Sequence, residues 1–541
     1  MTWAFWRRTD VVLAAAALAA ACGRGGGRGT EPGVMQLPIK PTRTLASSPQ
    51  LLDVGKKTFE KECVACHGAA GNGEGDAAYL LYPRPRDFTS GQFRIISTWD
   101  NAPTDDDLFQ TISRGMPGSA MPSWAHLPEQ TRWGLVHYVK SFAKRPIVVN
   151  AAKEPDKFGS GGAGRINVPL EPPYDDAAKA RAAELFAKGC APCHGATARG
   201  DGAQKQIDSK GYPTRPRDLT LGVYKGSPES QEVYRRIVGG LPGSPMPQNG
   251  YLQGADGWAL THMVRGLSSD EQRARAEMKK FRIVAVRVNA MPTSPDSGIW
   301  RLAPAVNLHL MPLWWRTDRP EEITVRAVHD GKDLALLLKW EDGSHDETAI
   351  RPQDFRDAAA VEFSLTPDPP FFAMGQPGAP VNIWMWKSER QADLDAAFRD
   401  LDNVYPNIGI DSYPNSAKSP LEQPMRHALT LQSNPTFVTA WGAGNIVADP
   451  TRRSAAESLS AQGFGTLKAH PRAAQNVEAT GEYSTGSYRV QFTRAMASDA
   501  SSVRLGPGTS VPVAFAVWNG SAGDRDGKKS VTIWQELFLE Q

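Results

Sequence analysis

Two pentapeptides of one pattern govern this chain: CVACH at 63–67 and CAPCH at 190–194. Their surroundings repeat with them. The first copy has Phe59, then PRPRDF (83–88), MPSW (121–124) and Trp133. The second has Phe186, TRPRDL (214–219), MPQ (246–248) and Trp258. The offsets agree: 127 residues from Cys63 to Cys190, 131 from Arg86 to Arg217, 125 from Met121 to Met246 and from Trp133 to Trp258. Spacing that recurs at this length marks a duplicated unit. In SPQLLDVGKKTFEKEC, Leu51, Leu52, Gly55 and Phe59 fall on one helical face. TRWGLVHYVKSF and GWALTHMVRGL show the same period near the far ends, and the Gly- and Pro-rich middles read as loop.

A Cys-x-x-Cys-His run offers two thiols to the vinyl groups of a haem and an imidazole to its iron. A redox dithiol of this spacing would sit in a βαβ pattern, and a zinc site would need further paired Cys or His; neither is present. The sequence therefore predicts two covalent haems, held by Cys63 and Cys66 with His67, and by Cys190 and Cys193 with His194. The sixth iron ligand is expected from Met121 and Met246, which occupy matching positions before Pro; a thioether favours ferrous iron and raises the potential. Met116 competes in the first copy but faces Leu241 in the second. Arg86 and Arg217 recur in Pro-Arg-Asp, where a guanidinium fork suits a haem propionate and a solvated charge is the bland alternative.

These motifs resemble class I-like cytochromes c in tandem, over residues 47–145 and 174–270. The resemblance implies two small all-α domains with His/Met iron and no substrate chemistry of their own.

The remainder bounds the setting. The chain has 541 residues, a net charge of +3 and no basic stripe, so several domains are expected and no nucleic-acid partner. Residues 1–22 carry Arg7 and Arg8, then VVLAAAALAAA, and read as an export signal of the lipoprotein type. Cys22 is then the lipidated residue and the only membrane attachment; cleavage to a soluble periplasmic protein is the rival. Residues 23–46 read as a flexible tether and 146–173 as a linker.

From about 285 to 541 the period changes to two. EEITVRAVHDGKDLALLLKW holds two strand-like runs around Asp330-Gly331, a hairpin signal, and AAAVEFSL, YRVQFTR, VPVAFAV and VTIWQELFL alternate similarly. The fold class expected is two all-α domains followed by an all-β sandwich. FFAMGQPGAPVNIWMWK (371–387), GFGTLKAHP (463–471) and VPVAFAVWNGSAGDRDGKKSVTIW (511–534) resemble the haem b-binding, DOMON-like γ subunits of ethylbenzene dehydrogenase-like molybdoenzymes. The resemblance implies one non-covalent haem b between Met and Lys, carried onto Met374 and Lys468, with Met385 and with Lys528 and Lys529 as alternatives. It further implies an electron-transfer subunit serving a molybdenum catalytic subunit and an iron–sulfur subunit on one side and a periplasmic redox carrier on the other. No catalytic residue is expected on this chain. The competing readings are a freestanding di- or trihaem shuttle, a dihaem peroxidase, and a haem-free β-sandwich that binds carbohydrate or a partner.

Overall fold

The computed structural model describes residues 33–371, 374–395, 454–497 and 501–541. Cys22 and the export signal lie outside them.

Each repeat is a small helical unit closed by crossed terminal helices. In the first, α1 (Pro49–Glu62) opens on Ser48, whose hydroxyl accepts from Leu51 N, with Pro49 at the first helical position. Leu51, Gly55 and Phe59 are its buried face. That face crosses α3 (Glu129–Ser141) so closely that a Cβ on Gly55 would stand 2.1 Å from the Gly134 carbonyl oxygen. Between them α2 (Asp105–Arg114) starts on a reciprocal Thr104/Asp107 capping box. The second repeat places α4 (Asp176–Leu185), α5 (Ser230–Gly239) and α6 (Ala255–Gly266) in the same roles. Its crossing uses fully buried Ala182 and nearly buried Ala259. The repeated tryptophans act alike: Trp133 Nε1 donates to Arg43 O at 2.9 Å and Trp258 Nε1 to Pro169 O at 3.0 Å, each fastening the chain that precedes its unit.

That fastening corrects one expectation. Residues 33–46 do not hang loose: Met35 N donates to Lys280 O, Leu37 N to Ala125 O, and His137 Nε2 meets Leu45 O at 2.8 Å. Backbone groups that a free tether would leave to water are spent on the folded units. The linker is likewise laid down, with Trp99 N on Gly164 O and Ile166 N on Ser97 O.

The C-terminal domain is one long sheet folded back on itself. Its main strands are β1 (Arg282–Arg287), β2 (Glu322–His329), β3 (Asp333–Glu341), β4 (Ala358–Ser364), β5 (Val381–Lys387), β6 (Ala456–Ala461), β7 (Lys468–Ala469), β8 (Val477–Ser484), β9 (Ser487–Ala495), β10 (Ser510–Trp518) and β11 (Gln535–Leu539). Their order is β7-β6-β5-β4-β10-β11-β1-β2-β3-β9-β8, antiparallel except where β1 pairs with β11 and β2. The expected hairpin is present: β2 and β3 pair from Thr324↔Lys339 to His329↔Leu334 around Gly331 at φ +93°. The two arms of the sheet close over an apolar core in which Trp386 of β5 meets Trp340 of β3 and Tyr488 of β9, ring centroids 6.3 and 5.5 Å apart. Alternation along these strands puts every second side chain into that core.

The first repeat docks on this domain. Leu81, Ala120, Met278, Met311, Leu313, Phe371, Val531 and Ile533 form one apolar cluster, with Cys66 and Met374 packed against it. Tyr82 continues the contact through its backbone, its N–H on Leu313 O and its carbonyl on Trp315 N. Among the described residues no helix is long and apolar enough to cross a membrane.

Candidate functional site

Each cysteine motif is a single helical turn that presents its side chains into a cavity. Val64–His67 and Ala191–His194 are helical, and each ends on a glycine with positive φ, Gly68 at +73° and Gly195 at +80°. A residue with a Cβ would be strained there, so the turn stops directly after the histidine. Cys63, Cys66 and His67 line the first cavity, of about 170 Å³, together with Met116, Met121 and Arg86. Cys190, Cys193, His194 and Met246 line a second, of about 600 Å³.

The methionine loops are superimposable in their bonding. Met116 N donates to Met121 O at 3.0 Å, and Leu241 N to Met246 O at 3.1 Å. Ser119 and Ser244 hydroxyls each face the methionine N–H at 3.4 Å. The glycines beneath, Gly118 and Gly243, share φ of +69° and +68°. Met121 and Met246 are therefore structural equivalents, and Met116 corresponds to Leu241.

The histidines differ. His67 Nδ1 lies 2.9 Å from Arg86 O, and its ring stacks on Phe88 at 4.4 Å. A carbonyl only accepts, so Nδ1 carries the proton and Nε2 keeps its lone pair. Burial pulls His67 down to about 4, which holds the imidazole neutral at physiological pH. His194 is also drawn down to about 4, by burial and then the Lys225 charge, but its Nδ1 has no partner among the described residues. Burial raises the thiols of Cys63 and Cys66, the latter to about 12.

Cations converge where the two cavities meet. Arg217 and Lys225 line both. Arg217 donates to the carbonyls of Pro117 and Gly118 in the other repeat, and Arg86 reaches the opposite way to Gly243, where an added Cβ would stand 3.1 Å from its Nη1. Arg86, Arg217 and Lys225 have no ion pair to a carboxylate among the described residues, whereas nearby Arg94 pairs with Asp208 at 3.3 Å. Burial lowers Arg86 to about 10 and Arg217 to about 9, and drives Lys225 well below its ordinary range, assisted by Arg217, Arg94 and Arg86. Desolvated, unpaired cations facing a cavity are a site for anions. Lys225 had no signal in the sequence; it gains its setting only when the repeats meet.

The third cavity, about 490 Å³, lies in the C-terminal domain and is lined by Met374, Met385, Lys387, Glu362, Trp518 and Lys529 among others. Lys529 Nζ stands 3.8 Å from Met374 Sδ and 4.9 Å from the Trp518 ring centre. Burial lowers the Lys529 ammonium, opposed by Glu362. Burial raises Glu362 to about 7, opposed first by the Lys529 charge. Met374 sits at φ +64°, a left-handed backbone costing about 1–2 kcal/mol in a non-glycine residue. Strain of that kind is retained where surrounding structure holds it.

Lys468 is the correction here. It is exposed on the edge strand β7, opposite Ser460, and does not line the cavity. Of the other pair, just before the short strand at Ser530–Val531, only Lys529 lines the cavity. Lys528 Nζ bonds the Ala522 carbonyl.

Comparison with known proteins agrees with this layout. Residues 50–139 match the family model of cbb3-type cytochrome c oxidase subunit III, residues 179–268 that of cytochrome c, and residues 299–530 that of ethylbenzene dehydrogenase. The chain joins two cytochrome c domains to an ethylbenzene dehydrogenase-family domain. Relatives include a chain assigned as a respiratory nitrate reductase heme subunit, ORF7, from Haloferax mediterranei, 26% identical over 47% of this chain and 70% of its own length. The dimethylsulfide dehydrogenase subunit gamma of Rhodovulum sulfidophilum is 25% identical over 45% and 73%. The chlorate reductase subunit gamma of Ideonella dechloratans is 22% identical over 52% and 95%. This tandem cytochrome, like those heme and gamma subunits, is an electron-transfer chain and not a catalytic one.

Proposed function

We propose that the chain is a three-haem relay subunit in which Cys63 and Cys66, and Cys190 and Cys193, fix two haems covalently, and Met374 and Lys529 hold a haem b. Haem, when bound, supplies a reversible one-electron change at its iron. The residues do the rest. His67 with Met121 and His194 with Met246 would supply an imidazole and a thioether to each covalent site, a pairing that raises potential. The Arg86 carbonyl holds His67 in the tautomer that leaves Nε2 free. Arg86 and Arg217, with Lys225, would neutralise propionates. Lys529 would bind as the free amine, which its burial favours.

The observation that carries this reading is the donor sets themselves. Two cavities each gather two thiols, an imidazole and a methionine, and a third opposes a thioether to a desolvated lysine.

The partner is a molybdenum and iron–sulfur oxidoreductase, by the likeness to nitrate reductase, dimethylsulfide dehydrogenase and chlorate reductase subunits. Electrons then run between it and a periplasmic carrier. The chain works in the periplasm, with Cys22 lipidated as its anchor.

A pyridine haemochrome assay of the matured protein, before and after acid–acetone extraction, tests the reading. Two haems retained on the chain and one extracted support it. Two retained with none extracted would remove haem b and the roles of Met374 and Lys529.

A further inference from the structure

The three cavities are not equivalent in their neighbours. The first and second share Arg217 and Lys225 as lining. The first and third share Cys66, Leu81 and Phe371. The second and third share no lining residue. We propose that the haems are wired in the order haem b, first covalent haem, second covalent haem, so that the N-terminal cytochrome is the obligatory middle station although it comes first in the chain. This rests on the three-haem reading above.

The two walls differ in kind, which bears on what each can do. The wall toward the C-terminal domain is apolar. Cys66, Leu81 and Phe371 belong to, or pack on, one cluster that also takes in Val531 and Met374. Cys66, which would tie the first haem to the chain, therefore packs on the same apolar cluster as Met374, which would face haem b. The apolar side chains of that cluster form the wall between the two sites. The wall toward the second cytochrome is cationic, built from Arg217 and Lys225 with Arg86 crossing beside it. Unpaired cations there suit carboxylates arriving from both sides, so the two covalent haems would meet by their propionate edges. Both walls are held by direct contacts: Tyr82 pairs with Leu313 and Trp315 on one side, and Arg217 donates to Pro117 and Gly118 on the other. The step across either wall is a one-electron exchange. The donor haem is oxidised by one electron, the acceptor reduced by one, and no bond is made or broken.

The order predicts which haem feels which. Full-length holoprotein carrying Met374→Ala with Lys529→Ala loses the extractable haem while keeping both covalent ones, scored by haemochrome. In the ferric state, the electron paramagnetic relaxation of the two covalent haems is then compared with wild type, their signals assigned by Met121→His and Met246→His. Loss of haem b slows relaxation of the signal moved by Met121→His and leaves the signal moved by Met246→His unchanged. A change confined to the Met246→His signal, or in neither, overturns the order while the haem count stands. Pulsed dipolar measurement on wild type needs no cavity variant: the longest of the three haem–haem distances must join haem b to the second cytochrome, and any other assignment overturns the order. A wild type that yields no extractable haem overturns the three-haem reading and the order together.

Discussion

Lys529 Nζ and Met374 Sδ lie 3.8 Å apart across the wall of the C-terminal cavity, although 155 residues separate them in the chain. Neither a buried ammonium nor a left-handed methionine is stabilising by itself. In the three-haem reading their proximity lets them serve one bound group. Met374→Ala and Lys529→Ala should each lower the haem recovered by acid–acetone extraction at least tenfold, and exposed Lys468→Ala should leave it unchanged. Retention in Lys529→Ala with loss in Lys468→Ala would reverse the assignment.

The crossing of Arg86 and Arg217 between cytochromes makes the glycines under the methionine loops a test of docking. A Cβ on Gly118 would meet Arg217 Nη1 at 3.0 Å, and one on Gly243 would meet Arg86 Nη1 at 3.1 Å. Both glycines also have positive φ, so alanine adds about 1–2 kcal/mol of backbone strain. Gly211, at φ +84° with open space around it, carries the strain alone. Gly118→Ala and Gly243→Ala should lower the melting temperature by more than Gly211→Ala does, measured by differential scanning calorimetry. Equal shifts would mean that the arginines do not press on these loops.

Gly55 illustrates packing against propensity. Alanine is the better helix former by about 1 kcal/mol. At Gly55 its Cβ would meet the Gly134 carbonyl at 2.1 Å, and overpacking costs about 1–3 kcal/mol. Gly55→Ala should therefore destabilise the first cytochrome, whereas Gly189→Ala, with nothing within 4 Å, should be neutral or stabilising. Urea unfolding of the two variants separates these outcomes; a stabilised Gly55→Ala would refute the close crossing.

The C-terminal domain carries its own pH dependence. Burial raises Asp342 to about 7, with Asp357 adding to it, and raises Asp357 to about 6. Asp357 is well served, accepting from Tyr488 OH at 2.7 Å, Asp346 N at 2.7 Å and Gly520 N at 2.8 Å. Asp342 Oδ2 is buried with no partner among the described residues. Both native values lie above the ordinary 3.8, so the folded state binds more protons than the unfolded one between about pH 4 and 7. Stability is highest below that window and falls as pH rises through it. Asp342→Asn should gain roughly 1–3 kcal/mol at pH 8 and nothing near pH 4. Denaturant titrations at the two pH values check the sign; a gain at pH 4 alone would contradict it.

Sequence reasoning reached local chemistry well and spatial neighbours poorly. The cysteine motifs, the matched methionines and the Asp330-Gly331 hairpin were legible because each is set by spacing along the chain. Met374 was reachable only through resemblance, and nothing local marks its left-handed backbone. Lys468 failed because the GFGTL stretch identifies a loop, not the direction its following lysine takes at a sheet edge. Of the alternatives Lys528 and Lys529, Lys529 is the one that lines the cavity, and which of two neighbouring lysines turns inward is set by a bend that local sequence does not reveal. Lys225 and the shared walls were invisible for the same reason: they exist only where separately folded units meet. Residues 33–46 misled in the opposite sense, since a Gly- and Pro-rich start gives no sign that its backbone is later bound.

In the three-haem reading, the docking of the first cytochrome on the C-terminal sheet also bears on the order of assembly. Cys66 packs against the apolar cluster of Leu81 and Phe371 that joins the two domains. Attachment of a haem at Cys66 would meet less obstruction before the sheet settles than after it, so the apolar wall would act as a timer for biogenesis.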